Sequence, residues 1–208
     1  MALKPQVGLL GGSFDPVHRA HIALARAACQ ALQLEHVELL PAGRPWQREQ
    51  LGAPPEHRLA MLELACGGDP RLRVNPVELR RPGATYTIDT LLALPATADY
   101  TWILGADQLA NFCTWHRWRD ILDHVRLAVA QRPGSLPEPP DELARALRPD
   151  GLAYIPFPPR DIAASSIRQA LAAGRVPEAQ LDPRVLDYIR AHRLYQHPAR
   201  QPDSPGTS

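Results

Sequence analysis

The sequence VGLLGGSFDPVHRAH occupies residues 7–21, and IALARAA follows at residues 22–28. The apolar start of the first segment predicts a buried strand, and the second segment predicts a helix. His18 and His21 therefore lie where a strand leads into a helix, the junction at which ligands collect in an open parallel sheet. Free N–H groups at a helix start attract anions, and the imidazole nitrogens would add donors. We therefore predict that a nucleotide binds here.

The residues of this segment also allow other interpretations. Glycines also serve any tight turn, so the turn by itself is weak support for phosphate binding. A P-loop needs Gly-Lys-Ser/Thr, but Lys4 is the only lysine in the chain, and the dinucleotide pattern GxGxxG is absent. The histidine pair could hold zinc, but there is no HExxH motif and no obvious third ligand, so no metal site is predicted. A purely structural role for the pair stays open.

Length and composition favour one α/β domain, predicted over residues 1–197, with a disordered tail over residues 198–208. Lysine and arginine number 23 against 22 acidic residues, so we predict neither a nucleic-acid nor a membrane partner. Three scattered cysteines and the lack of a signal peptide predict a cytoplasmic location. Nothing in the sequence predicts an oligomeric state.

Apolar runs alternate with helical patterns, which is typical of a wound α/β sheet. The predicted strands lie at residues 7–10, 37–40, 72–74, 101–104, 127–130 and 153–155. The predicted helices lie at residues 22–28, 58–66, 88–92, 165–173 and 183–192. The proline-rich residues 132–140 predict a surface loop.

A second candidate anion site lies late in the chain, where DIAASSIRQAL occupies residues 161–171. Ser165 and Ser166 stand at the head of a predicted helix, and Arg168 follows on the same helix. A serine there can simply cap its own helix. Alternatively, hydroxyl, free N–H groups and guanidinium converge on one phosphate. Together with the first segment, this favours a site that holds both ends of a triphosphate.

The two segments resemble the GSFDPxHxGH and SxTxIR motifs of the nucleotidyltransferase superfamily. Within it, residues 7–195 are similar to the bacterial nicotinate-nucleotide adenylyltransferases. Further landmarks shared with that family are LPAG at 40–43, RLAML at 58–62, TYTIDTL at 85–91, LGAD at 104–107, Trp115, and RPG at 132–134. The resemblance implies a Rossmann-like open parallel sheet with helices on both faces. It also implies transfer of AMP from ATP to nicotinate mononucleotide, giving deamido-NAD and pyrophosphate.

The resemblance further implies which residues act. His18, His21 and Arg168 would be the catalytic residues, with magnesium arriving on the ATP phosphates rather than in a protein cage. The residues expected to bind ATP are Gly12, Ser13, Phe14, His18, His21, Asp107, Ser165 and Arg168. The residues expected to bind the pyridine nucleotide are Tyr86, Thr87, Trp115, Arg132 and Arg48.

Three of these residues also have a structural alternative. Trp115 would stack on the pyridine ring or else pack in the core beside Trp118. Thr87, at a helix start, would bind the carboxylate or else cap the helix. Asp107 would bind ribose hydroxyls or else be an N-cap.

The motifs depart from the family pattern at two positions. Ala20 stands where glycine is usual before the second histidine, and Ala163 stands where serine is usual. Loss of that hydroxyl would weaken phosphate binding by about 1 kcal/mol. Two other functions stay open: adenylyl transfer to nicotinamide mononucleotide or phosphopantetheine, and a nucleotide sensor without turnover.

Overall fold

The computed structural model describes residues 4–43, 51–132, 134, 136–158 and 160–196. All six predicted strands are present. Five of them extend beyond the predicted residues, and the strand at residues 72–74 has the predicted bounds. The six strands form one parallel sheet in the order β3-β2-β1-β4-β5-β6. The strands are β1 (Gln6–Gly12), β2 (His36–Pro41), β3 (Leu72–Val74), β4 (Asp99–Leu104), β5 (Val125–Gln131) and β6 (Leu152–Pro156).

The five predicted helices are confirmed, with shifted ends: α1 (Arg19–Leu32), α2 (Pro55–Cys66), α3 (Thr87–Ala93), α7 (Ala164–Ala172) and α8 (Pro183–Ala191). Three short helices had no predicted counterpart: α4 (Ala106–Ala110), α5 (Trp118–His124) and α6 (Asp141–Ala146). A 3₁₀ turn spans Phe112–Thr114. These pieces of three to seven residues are too short to show a helical period in the sequence.

Helices cover both faces of the sheet, as the resemblance implies. Leu10 points into a core shared with α1, α2, α7 and α8, whereas Leu9 points into a second core shared with α3, α4, α5 and α6. Adjacent residues of β1 thus face opposite sides, as a pleated strand buried on both faces requires. Both leucines are almost fully buried.

The strand order creates a crevice at one edge of the sheet. β1 pairs with β2 on one side, with Gly12 opposite Pro41, and with β4 on the other, with Leu9 opposite Trp102. The chain therefore winds away from β1 in both directions. The carboxyl ends of β1 and β4 flank this switch point, which is where open α/β sheets bind ligands.

Within the ranges given above, no helix is long and apolar enough to cross a membrane. Cys29 and Cys66 are free thiols buried against the α1–α2 core, and burial raises the pKa of Cys66 to about 11. Both therefore pack as small apolar residues, as Cys113 does at the edge of the second core. The predicted tail at residues 198–208 lies outside the described residues.

Candidate active site

A backbone hydrogen bond and a buried side chain hold the loop between β1 and α1 in place. Gly12 ends β1, and its carbonyl oxygen accepts a hydrogen bond from the N–H of Ala42 at the end of β2 (2.9 Å). Phe14 is 1% exposed and adopts the left-handed backbone region at φ 46°. A non-glycine residue is uncommon there and persists only where its surroundings fix it. The loop thus has a rigid shape in front of the crevice.

The two histidines stack on each other at the start of α1. Their ring centroids are 3.7 Å apart with planes 19° from parallel, and His18 is the N-cap residue. The His18 N–H donates to Nδ1 of His21 (3.2 Å). In the neutral ring, Nε2 of His21 then carries the proton and is a donor. The ring of Phe14 stands edge-on to His21, with centroids 5.0 Å apart.

Both imidazoles are neutral in the free protein. Burial lowers the pKa of His18 to about 4. Burial and the neighbouring His18 lower the pKa of His21 well below its usual value. Nδ1 of His18 is buried and has no hydrogen-bond partner among the described residues. A bound polyphosphate would favour the charged forms and would give such a nitrogen a partner.

Asp15 joins three parts of the chain at this loop. It is 1% exposed, and its carboxylate accepts hydrogen bonds from the N–H groups of Gly52 (2.6 Å) and Ala53 (3.0 Å) and from the hydroxyl of Tyr195 (2.8 Å). Three donors satisfy a buried charge that would otherwise be costly. Nothing in the sequence pattern pointed to Tyr195, because its partner lies 180 positions away.

Arg58 supports the same loop from α2. Its side chain is fully buried, and Nη1 donates to the carbonyl oxygen of Ser13 (2.8 Å), while Nη2 reaches the carbonyl oxygen of Gly43 (3.5 Å). Burial lowers the pKa of Arg58, and the negative charge of Asp15 opposes that effect. A guanidinium therefore fixes the ends of two neighbouring loops.

Arg168 reaches the first loop from α7, so the two predicted anion sites are adjacent. Its Nη1 donates to the backbone carbonyl of Asp15 (2.6 Å) and lies 3.7 Å from Oδ2 of the same residue. Ser165 is exposed in the first turn of the same helix. The structure thus brings His18, His21 and Arg168 to one end of β1.

The capping alternatives are wrong for all three polar residues to which they applied. The N-cap of α7 is Ala163 rather than a serine, the N-cap of α3 is Tyr86 rather than Thr87, and the N-cap of α4 is Gly105 rather than Asp107. The hydroxyls of Ser165 and Thr87 and the carboxylate of Asp107 lie inside the first turn in each case. These side chains are therefore not committed to capping their own helices.

Three of the predicted acceptor-side residues lie at the start of α3, where Tyr86 and Thr87 stand, and after the 3₁₀ turn, where Trp115 stands. Trp115 is half-buried, with its ring 5.1 Å from Phe112 and edge-on to Trp102 at 6.3 Å. Together with Asp107 it lines a depression of about 360 Å³. The ring of Tyr86 lies 4.5 Å from that of His116, the residue next to Trp115. Trp115 thus combines core packing with a surface on the depression.

Two predicted contacts are not part of these groups. Arg132 follows the end of β5, is exposed, and makes no hydrogen bond or ion pair with another predicted site residue in the described part of the chain. Arg48 lies outside the described residues. A separate cleft of about 690 Å³ borders His18 and α1, and five of its sixteen lining residues are arginines, three of them ion-paired.

Comparison with known proteins shows the family. The family model described as cytidylyltransferase-like matches residues 9–170. A curated relative from Bordetella petrii, named nicotinate-nucleotide adenylyltransferase, is 56% identical over 193 residues, which cover 92% of this chain and 99% of the relative. The relative of the same name from Laribacter hongkongensis is 44% identical, covering 94% and 98% of the two chains.

The chain belongs to the cytidylyltransferase-like family and, within it, to the nicotinate-nucleotide adenylyltransferases. The resemblance stated from the motifs is thereby confirmed. A solved structure, Plasmodium falciparum nicotinic acid mononucleotide adenylyltransferase complexed with NaAD, has a TM-score of 0.74 at 17% identity, covering 92% of this chain and 97% of that one. It shows that the two share the open parallel-sheet fold.

Within this adenylyltransferase fold, sequence reasoning missed the residues that hold the site rather than line it. Asp15 was quoted as part of the first motif, and Arg58 as part of a landmark, but neither was assigned a role. Their types carried a signal, since a carboxylate and a guanidinium inside apolar surroundings need partners. The identity of those partners could not be read without the fold.

Proposed function

We propose that this chain transfers AMP from MgATP to nicotinate mononucleotide in the cytoplasm, releasing pyrophosphate and forming deamido-NAD. A phosphate oxygen of the acceptor forms a bond to the α-phosphorus of ATP, and the bond from that phosphorus to the bridging oxygen of the β-phosphate breaks. A phosphate monoester with a second pKa of about 6 is already largely ionised at pH 7, so no general base is needed. The protein aligns the reactants and stabilises charge.

The observation that carries this proposal is the juxtaposition of the stacked His18–His21 pair with Arg168 at the end of β1. The imidazoles donate to the α-phosphate and to the bridging oxygen, where charge builds as pyrophosphate leaves. Ser165 and Arg168 hold the β- and γ-phosphates. Gly12, Ser13 and Phe14 shape the loop against which these phosphates lie.

The acceptor binds beside β4. Trp115 stacks on the pyridine ring, and Asp107, which lines the same depression, accepts hydrogen bonds from the ribose hydroxyls of ATP. Tyr86 and the hydroxyl of Thr87 face the pyridine carboxylate. Donors that satisfy a carboxylate would be left unpaired against an amide NH₂, so the acid is preferred over nicotinamide mononucleotide. Arg132 and Arg48 are further proposed contacts to this nucleotide.

Magnesium enters as part of the MgATP substrate. No group of three or more histidine, cysteine, aspartate or glutamate side chains suited to a metal ion occurs in the described ranges. Asp15, in the loop that leads to the histidines, already accepts three hydrogen bonds. The phosphate oxygens and water would therefore supply the ligands, which is usual for Mg²⁺.

Pyrophosphate release from MgATP tests this proposal, with nicotinate mononucleotide and nicotinamide mononucleotide assayed in parallel. We expect a kcat/KM at least a hundredfold higher for the acid. Equal use of both acceptors would keep the chemistry and overturn the proposed selectivity. Release with phosphopantetheine alone, or with no acceptor at all, would overturn the assignment.

His21→Ala tests the role of the histidine pair. The variant loses one donor and the stacked neighbour of His18, and we expect kcat to fall by about 10²–10³, as for removal of one transition-state donor. His124→Ala, at an exposed histidine on α5, is the matched control and should keep the wild-type rate. Wild-type turnover by His21→Ala would exclude the proposed mechanism.

A further inference from the structure

The chain turns back sharply after α8. Arg193 and Tyr195 both adopt the left-handed backbone region, at φ 50° and 62°. Leu194 between them is 9% exposed, packs in the α1–α2 core, and donates its N–H to the carbonyl of Ile189 (3.0 Å). Two such conformations in non-glycine residues persist only where the surrounding structure requires them. The turn places Tyr195 against the loop between β1 and α1.

The hydroxyl of Tyr195 is one of the three donors that satisfy Asp15. It donates to Oδ1 across 2.8 Å, and Oδ1 also accepts the N–H of Ala53. Burial and the negative charge of Asp15 both raise the pKa of Tyr195, so the phenol keeps its proton and stays a donor. Without it, a carboxylate that is 1% exposed would keep two backbone hydrogen bonds from one loop and the Arg168 guanidinium at 3.7 Å.

Tyr195 and Arg168 both pack against Gly52. A Cβ atom added to Gly52 would lie 3.0 Å from Cδ of Arg168 and 3.0 Å from Cε1 of Tyr195, so the two side chains flank this glycine closely. Arg168 in turn donates to the carbonyl of Asp15. Arg168, Gly52, Tyr195 and Asp15 thus form one packed group, in which displacement of one member disturbs the others.

We propose that Tyr195 is a positioning residue for the triphosphate end of the site, acting through Asp15 and the contact across Gly52 on Arg168. It lies beyond residues 9–170, the stretch that the family model matches. The proposal rests on the proposed function, because the triphosphate is what Arg168 would hold. Tyr195 itself touches no reacting atom, so its effect falls on ATP use rather than on the acceptor.

Tyr195→Phe tests this, since it removes the hydroxyl and keeps the ring against Gly52. We expect kcat/KM for MgATP to fall about tenfold, which corresponds to the loss of one hydrogen bond to a charged group. The KM for nicotinate mononucleotide should change less than twofold. Tyr188→Phe is the matched control: it removes a hydroxyl on α8 that bonds Nδ1 of His57 at 2.9 Å, outside the site. It should leave both parameters unchanged.

A merely structural role for Tyr195 would give a different pattern. Thermal unfolding of both variants shows how much stability each hydroxyl contributes, and calorimetric titration with MgATP measures binding without turnover. An equal loss for both substrates, or unchanged MgATP binding despite a lower melting temperature, would overturn the proposal. If the wild-type protein fails to use nicotinate mononucleotide, the proposed function fails, but the MgATP titration still decides the role of Tyr195.

Discussion

Arg58, on α2, donates from Nη1 to the carbonyl oxygen of Ser13 across 2.8 Å, and no part of its side chain is exposed. The same guanidinium reaches the carbonyl of Gly43 after β2. It therefore joins the ends of the two loops that follow neighbouring strands at the binding edge. A buried cation in this position stabilises the site only while both carbonyls remain its partners.

Arg58→Met should destabilise the protein by about 2–4 kcal/mol, because two backbone carbonyls lose a charged donor in a buried setting. It should also lower kcat/KM for MgATP, since the first loop loses its support. Urea unfolding and pyrophosphate release measure the two effects. Arg145→Met is the control: that side chain is 80% exposed, so its unfolding free energy should change by less than about 0.5 kcal/mol.

The strands and longer helices could be predicted from sequence because each carries its own pattern. Residues 127–130 are all apolar, as a strand buried on both faces requires. In α8 the buried apolar residues Val185, Leu186 and Ile189 recur at helical spacing. The junction at His18 and His21 was predicted for the same reason. Its neighbours in sequence already define a strand followed by a helix.

The hydrogen bonds that hold the site in place could not be predicted this way, because they join residues that are distant in sequence. Asp15 contacts Tyr195 and Arg168 only in the folded chain, and the spacing of these residues in the sequence does not predict the contacts. The N-caps were also wrong by one or two residues at three helices, because the observed N-caps are Ala163, Tyr86 and Gly105, of which only the glycine is a favoured N-cap residue. Local sequence preference determines whether a segment forms a helix or a strand, whereas tertiary packing determines the residue at which it begins or ends.

The neutral state of the histidine pair makes nucleotide binding pH-dependent. In the free protein we expect the NMR titration of His18 to have a midpoint near pH 4, because burial lowers its pKa to about 4. Bound triphosphate favours the imidazolium, so the midpoint should move upward in the complex. Binding then takes up protons, and MgATP affinity should increase as the pH falls through the pKa of the complex toward the pKa of about 4 in the free protein.

Signals for this titration can be assigned with His18→Asn, which removes one resonance. A midpoint near 6.5 in the free protein would contradict the burial that the structure shows. An unchanged midpoint on addition of MgATP would mean that no phosphate lies close to His18.

Trp115 should matter for the acceptor and not for ATP. Trp115→Ala removes a ring that is partly free over the depression shared with Asp107, and we expect the KM for nicotinate mononucleotide to rise at least tenfold, as for loss of one stacked ring. The KM for MgATP should change less than threefold. Trp118→Phe, at a tryptophan that is 6% exposed, should lower stability without altering the ratio of the two KM values.

Glu78 lies beneath the acceptor side of the site. It is 4% exposed, and Oε1 accepts a hydrogen bond from the hydroxyl of Thr90 (2.9 Å), one turn after Tyr86 on α3. Burial raises the pKa of Glu78 from 4.5 to about 7, and the hydrogen bond from Thr90 and the charge of Arg81 only partly oppose that effect. The carboxyl is therefore partly protonated at neutral pH.

The raised pKa of Glu78 gives the fourth prediction. Between pH 4.5 and 7 the folded protein binds more protons at this site than the unfolded chain, so its contribution to stability is lost as the pH rises through about 7. Glu78→Gln removes the titrating carboxyl, so the variant does not lose this stability as the pH rises. The unfolding free energy of the variant minus that of the wild type should therefore increase by about 3 kcal/mol between pH 4.5 and pH 8. Urea unfolding across this range measures it, and Glu63→Gln, on the exposed face of α2, controls for the lost charge. Because His18 titrates equally in both proteins, its opposite pH dependence cancels in the difference. A difference that is flat with pH, or that shrinks as the pH rises, would contradict the buried neutral carboxyl.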